Sequence, residues 1–385
     1  MGRQTGSDQS GRTLRAGPLP ALIDPSFAAR TVTSDNLGIS VENGGSGLVP
    51  GVWYAATGSP GVYVSLLQPG MVAAPILHGG EKNANALDRV EASALCYAIA
   101  FDLDRFEIAY AGGTEHPSVE WSAHMRPEMK DARLAGPDGF GTIAPLVATG
   151  LVNPADAART VAVFTGGFKR AHGAFLSGDL AMTNRGSHYG FIENGTVFST
   201  LQPGLATMFT LADGSVDMKT WQAADNTQLR YIRHARQNGV PIVELDGQSQ
   251  AIVPGRLVNR WGPGNWSGSE DRSLRTIRAA AALQTTRDKR FLIYAVFSAA
   301  TPSAMARVFQ AYQCRYAMLL DMNALEHTYL ALHQRIGSRI ILQHLIKGMS
   351  QLDRSSNGAI VPRFVGYPDN RDFFSVMERR EEPRP

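Results

Sequence analysis

Residues 290–329, RFLIYAVFSAATPSAMARVFQAYQCRYAMLLDMNALEHTY, decide how the rest of the chain is read. Residues 291–297 carry no charge and are rich in aromatic and branched side chains, the pattern of a buried strand. Thr301 and Pro302 then supply a helix cap and a proline at the first helical position, where a missing N–H costs nothing. Met305, Val308, Phe309 and Tyr312 follow at helical spacing. Residues 316–320 form a second apolar run, too short for a helix. The unit therefore predicts strand, helix, strand, with the strands as parallel neighbours joined by a right-handed crossover. Asp321 closes it. Open α/β sheets meet ligands at the carboxyl ends of strands, so Asp321 is either a site residue or the cap of the turn at 322–324.

Working outward, 385 residues allow one large domain or two, and 44% hydrophobic with 18% charged residues fits an ordinary globular chain. With 39 glycines and 21 prolines, many turns are expected. A net charge of +3 is too weak to argue for nucleic acid, and no basic run alternates with aromatics. Cys96 and Cys314 make neither a disulfide framework nor a zinc site, and both are expected buried, reduced and unpaired. No apolar stretch is long enough to span a membrane, and residues 1–20 lack the apolar core of a signal peptide.

The expected organisation is an extended or disordered arm over 1–50, a single domain over 51–370 and a charged tail over 371–385. Hairpins are read at 51–68 and 94–110, the second turning at Asp102-Leu103-Asp104. Residues 115–139 read as a long loop, and 143–150 and 154–160 as short helices. Asn194-Gly195 and Asp213-Gly214 suit tight hairpin turns. Residues 225–238 read as a helix stopped by Gly239, with a strand at 241–245. The loop at 261–270 carries Trp261 and Trp266, which either meet a ligand or close the core edge. Residues 330–346 are a helix or a strand pair, and a last strand is read near 359–365. The fold class expected is α+β, α/β-like, with helices packed on a mixed sheet.

Three segments in order carry a resemblance. Residues 164–168, Phe-Thr-Gly-Gly-Phe, end a strand with exposed backbone. Gln248-Ser249 is followed by Pro254-Gly255-Arg256-Leu257-Val258 and by Ser273-Leu274-Arg275-Thr276-Ile277-Arg278 ahead of a small-residue strand. Residues 314–321 end a strand in Leu-Asp. Together, across about 95–345, they resemble the bacterial phosphodiester glycosidase family. Two departures stand out: Thr165 replaces the usual Asn, and Met322-Asn323-Ala324-Leu325-Glu326-His327 replaces a glycine-rich turn, where Met322 would obstruct or re-aim a substrate.

The resemblance implies a hydrolase acting on a glycosidic bond to a phosphodiester or a related glycan linkage. The alternative is an inactive glycan- or anion-binding relative. Its implied substrate is a carbohydrate or sugar phosphate, and export to the periplasm or beyond is expected; a leader would lie upstream of Met1, and a cytoplasmic location stays open. The catalytic candidates are Asp321, Arg278 and Glu326. Asp321 would be the carboxylate that stabilises oxocarbenium charge or activates water, with Glu326, Glu244 or Asp246 as partner. Arg278 would either fork a phosphate bidentately or form an ion pair in the core. Thr165, Gly166, Gly167, Phe168, His172, Gln248, Ser249, Arg275, Asn323 and His327 would line the substrate, with His188 nearby. Gly166 and Gly167 either offer N–H groups to an oxyanion or merely turn the chain. No cofactor is expected, and only a weak divalent ion at Asp321, Asn323 and Glu326 stays open.

Overall fold

The structure is a computed structural model, and it describes residues 17–42, 47–80, 82–114, 150–167, 190–199, 201–260, 274–337 and 339–380. The deciding unit forms as a strand Arg290–Ala300, a helix Pro302–Ala311 capped by Thr301, and a strand Cys314–Met322. Nearly the whole helix is buried, and the one charged residue on it, Arg307, bonds backbone carbonyls of Ile76 and Ala84 at 2.7 and 3.2 Å. This is how a buried cation is tolerated.

The two strands are parallel in direction but are not neighbours. Thr276–Thr285 lies between them and pairs antiparallel with both, because its run of Ala279 to Ala282 is small enough to sit at the crowded centre. The sheet has eight strands. Their order is Tyr54–Ala55, Val62–Leu67, Cys96–Asp102, Arg290–Ala300, Thr276–Thr285, Cys314–Met322, Val243–Leu245, Ile252–Pro254.

A second sheet of five strands orders Arg339–His344, Leu330–Ile336, Thr160–Thr165, Phe373–Glu378 and Phe106–Ala111. It packs on the first through Phe164, whose ring centroid is 4.7 Å from that of Tyr294. A third, also of five, orders Thr196–Ser199, Phe191–Glu193, Ile232–Gln237, Ala206–Leu211 and Val216–Thr220. The Tyr110 and Phe191 rings stack at 5.8 Å where it meets the second sheet.

Every ladder between these strands is antiparallel, and among the described residues the helices are few and short. The molecule is β-rich, which corrects the expected α+β class with a mixed sheet. The strand–helix–strand pattern misled because crossover strands need not be adjacent: a long antiparallel strand from earlier in the chain can insert between them.

Four further expectations change. Cys96–Asp102 and Phe106–Ala111 flank the turn read at 102–104 but belong to different sheets, so they form no hairpin. Residues 225–238 are a 3-10 helix, Ala223–Tyr231, followed by the strand Ile232–Gln237. Residues 371–378 are no tail: Phe373–Glu378 is hydrogen-bonded on both edges, and Phe373, Phe374 and Val376 are buried. The part of the arm beyond residue 16 is irregular but packed, with Val32 paired to Leu48, Leu37 to Ile346, and Ile39 in the core. The dipeptides Asn194-Gly195 and Asp213-Gly214 do turn hairpins, and residues 330–346 are the strand pair Leu330–Ile336 and Arg339–His344. The readings at 115–139, 143–149, Trp261 and Trp266 lie outside the described residues.

Candidate active site

All three sheets converge at one point. Cys314–Met322 ends there with Asp321, Thr160–Thr165 ends with Gly166 and Gly167, and Phe373–Glu378 begins just after Arg371 and Asp372. Ile232–Gln237 sends in Arg236. Gly167 has φ of +113° and lies against the Asp321 side chain, leaving no room for a side chain of its own.

Asp321 is buried, with Oδ1 accepting from its own neighbour's amide at Met322, 2.8 Å away. Arg371 Nη1 donates to Asp321 Oδ2 at 2.9 Å and to the Gly167 carbonyl at 2.8 Å. Burial pushes the Asp321 carboxyl up to about 8, against the opposing pull of Arg371. Burial thus favours the protonated form, the opposite of the ionised carboxylate expected from the sequence, while Arg371 favours the ionised one.

The turn after Asp321 completes the cluster. Asn323 sits at φ of 81°, the left-handed region that asparagine tolerates without glycine, and its N–H donates to the Ile277 carbonyl at 2.9 Å. Met322 does not block the site. Its side chain is buried inward, with Sδ 2.7 Å from Arg278 Nη1. The short helix Leu325–His327 then brings Glu326 and His327 to Arg371. His327 Nε2 is 2.6 Å from Arg371 Nη2 and 2.8 Å from Glu326 Oε1, while its Nδ1 is 2.6 Å from the Met322 carbonyl.

Partial burial alone would raise Glu326, but the His327 bond and Arg371 outweigh it and hold the carboxyl below its usual value. Burial and then Arg371 lower His327. Thr165 Oγ1 donates to the His327 carbonyl at 2.7 Å, so the residue standing for asparagine tethers this turn.

Behind the site, Arg236 Nε meets Asp372 Oδ2 at 2.7 Å, both side chains fully buried. The N–H groups of Gly166 and Gly167 point at the Asp372 carbonyl, 2.9 and 3.5 Å away. Both amides of this Gly-Gly pair are therefore taken up by backbone.

Several expected partners sit elsewhere. Arg278 is fully buried, and its fork donates to the carbonyls of Ala300 and Leu274 at 2.8 and 2.9 Å, a scaffold engagement that corrects its reading as a phosphate clamp. Arg275 is half-exposed and paired with Asp88 at a helix cap. Gln248 and Ser249 lie on an exposed turn, where Asp246 Oδ1 accepts from both their amides. Val243 pairs with Ala317 antiparallel, so this turn and Glu244 lie toward the Cys314 end of the strand, opposite Asp321. Antiparallel pairing reverses what sequence order suggested. Phe168, His172 and His188 lie outside the described residues. Among the described residues no group of three or more His, Cys, Asp or Glu side chains is placed to hold a metal, and Asp321 Oδ2 faces a guanidinium.

Arg371, Asp372 and Arg236 were missed. The signal for the first two was available: the uncharged, aromatic-rich run from Phe373 to Met377 behind an Asp-Asn loop reads as a buried strand with charged residues at its start.

No protein-family model matches the chain, and no curated protein matches it. Among solved structures it is similar to the zebrafish N-acetylglucosamine-1-phosphodiester alpha-N-acetylglucosaminidase catalytic domain, auto-inhibited by its pro-peptide. The TM-score is 0.40 and the identity 11%, covering 95% of this chain and 96% of that one. A Burkholderia pseudomallei protein named for expected export gives a TM-score of 0.24 and 11% identity, over 74% of each chain. Among the described residues no helix is long and apolar enough to cross a membrane.

Proposed function

We propose that the protein is a hydrolase cleaving a glycosidic bond to a phosphodiester or a related exposed glycan linkage. The observation that carries this reading is a pair of carboxyl groups at one strand end with environments that push them apart. Asp321 is raised to about 8 and Glu326 is lowered, with Arg371 contacting both, at 2.9 and 3.8 Å. Two carboxyls so separated divide the roles of acid and base. Asp321 keeps a proton to donate, and Glu326 stays ionised to stabilise oxocarbenium charge or to activate water. A departing phosphate is weakly basic and needs little protonation, so Arg371 supplies the larger help by holding its charge. Export to the periplasm or the cell exterior accompanies this reading, as the motif resemblance implies.

A second reading, an inactive glycan- or anion-binding relative, is favoured by one detail: both oxygens of Asp321 are already engaged, by Met322 and Arg371. A panel of sugar-1-phosphodiesters separates the two. Turnover by wild type that disappears in Asp321→Asn and in Glu326→Gln supports the hydrolase. Binding without turnover by folded wild type supports the silent relative.

A further inference from the structure

One ring nitrogen at this site faces two partners that require opposite protonation states. His327 Nδ1 lies 2.6 Å from the Met322 carbonyl, which can only accept, so Nδ1 carries a hydrogen. Nε2 is 2.6 Å from Arg371 Nη2, a group that can only donate, and 2.8 Å from Glu326 Oε1. A bare Nε2 accepts from Arg371 and presents a lone pair to Glu326. A protonated Nε2 donates to Glu326 and presents N–H and positive charge to Arg371. Both bonds cannot exist together.

The charged groups around the ring are on all the elements packed against it. Arg371 comes from the start of the Phe373–Glu378 strand, and Glu326 from the ring's own turn. Asp321 Oδ2, from the end of the Cys314–Met322 strand, is 3.9 Å from Nδ1. Arg363 approaches through the Glu326 carbonyl, to which its Nη1 donates at 2.7 Å. Asp369 sits one step further out, held by Arg363 Nε at 2.9 Å.

We infer that His327 is a proton-operated clasp on Arg371: taking up one proton at Nε2 moves the ring's bond to Glu326 and releases Arg371 Nη2 to an anionic phosphodiester. The proton comes from solvent, and no covalent bond changes. In the neutral state Arg371 spends one N–H group on the imidazole. In the cationic state that N–H is repelled from the ring and is available, while Nη1 still holds Asp321 and the Gly167 carbonyl. The inference deepens the hydrolase reading and rests on it only for the identity of the anion.

Two measurements test it, the first independent of turnover. Nitrogen-detected NMR of the labelled chain reports the tautomer and titration midpoint of His327. The neutral form should carry its proton on Nδ1. Glu326→Gln should lower the midpoint, because the cation keeps an acceptor but loses its anionic partner, and Arg371→Gln should raise it. A neutral form protonated on Nε2, or a midpoint that neither variant moves, overturns the clasp. The second is calorimetric binding of dimethyl phosphate, a diester whose charge is constant across the range. Wild type should bind about ten-fold more tightly as pH falls from about 8 to about 5, the worth of one charge-assisted bond. Asp321, raised to about 8 beside Arg371, also gains a proton in this range, so the comparison is made in the Asp321→Asn background, where adding His327→Gln, checked by thermal melt for folding, should abolish the remaining pH dependence. Tightening that persists in the Asp321→Asn, His327→Gln double variant overturns the proposal. Lack of glycosidase activity with the NMR results intact would remove the hydrolase reading and leave the clasp standing.

Discussion

Gly167 packs against Asp321 so closely that a Cβ at position 167 would fall 2.0 Å from the Cβ of Asp321. Residues separated by most of the site's sequence span are thus locked by one missing methyl group. Gly167→Ala should lower melting temperature and remove activity together, because the intruder meets the rigid root of the Asp321 side chain at a φ of +113°. Gly195→Ala is the control. Its φ is also positive, at 78°, but nothing lies within 4 Å, so only backbone strain of roughly 1–2 kcal/mol is expected. Equal losses in the two variants would show that backbone strain, not contact with Asp321, governs position 167.

Asp321→Asn should alter how stability depends on pH. The folded carboxyl is raised to about 8, whereas an unfolded one titrates near about 3.9. Between those values the folded state holds a proton the unfolded state has lost, so stability declines as pH rises through this window. The slope is at most roughly 1.4 kcal/mol per pH unit. His234 and His333 are buried neutral, lowered to about 3 and about 4, and act in the opposite sense, so the difference between wild type and Asp321→Asn isolates the one group. Melting curves from about pH 3 to about pH 8 should converge at the acid end, with the variant the more stable at the alkaline end. A variant less stable throughout would mean that Asp321 is an ion-pair carboxylate.

Arg278→Lys should unfold the protein more readily than it weakens phosphodiester binding. The fork spans the carbonyls of Leu274 and Ala300 and reaches the Met322 sulfur, and a lysine cannot serve three acceptors in that geometry. Losing a buried charge-assisted bond costs roughly 1.5–3 kcal/mol. Arg371→Lys should do the reverse, with binding lost before stability. If Arg278→Lys is thermally silent while binding falls, the scaffold assignment is wrong.

Asp372→Ala should be severely destabilising, by roughly 3–5 kcal/mol, because it strands the buried Arg236 guanidinium. The paired replacement Arg236→Met with Asp372→Leu should recover part of that loss. Denaturant midpoints decide, and a double variant worse than the single would refute the argument.

Cys96 and Cys314 are fully buried and unbridged, and burial raises both thiols above their usual value. Labelling of native protein should therefore be slow and should accelerate on unfolding. Rapid modification of both thiols in the folded state would contradict this packing.

Local chemistry was legible along the chain. The Thr301 cap, the proline behind it, the turns at Asn194-Gly195 and Asp213-Gly214 and the apolar strands 291–297 and 316–320 all rest on nearest-neighbour physics, which sequence carries directly. Asp321 and the Gly-Gly pair stood out because they end such strands. Other strands hid their nature in buried polar residues. Residues 225–238 read as helix because Leu229, Ile232 and Ala235 fall on one side ahead of Gly239, yet Arg236, Gln237 and Asn238, which hide the strand, are all buried. Gln237 bonds Gly190, Gln202 and Thr207, and Asn238 bonds Leu319 and Leu320.

Partner choice was decided by tertiary structure alone. Whether the deciding strands lie side by side depends on residues 276–285 inserting between them, and whether Glu326 or Glu244 joins Asp321 depends on the antiparallel sense of the pairing at Val243. Arg278 and Arg371 are the same side chain chemically. One faces carbonyls inside a sheet and the other faces Asp321 where three sheets meet. Sequence determines which side chains can carry charge, turn a chain or fill a core; only the fold sets the burial and the neighbours that make one arginine a scaffold and the other a candidate for binding an anion.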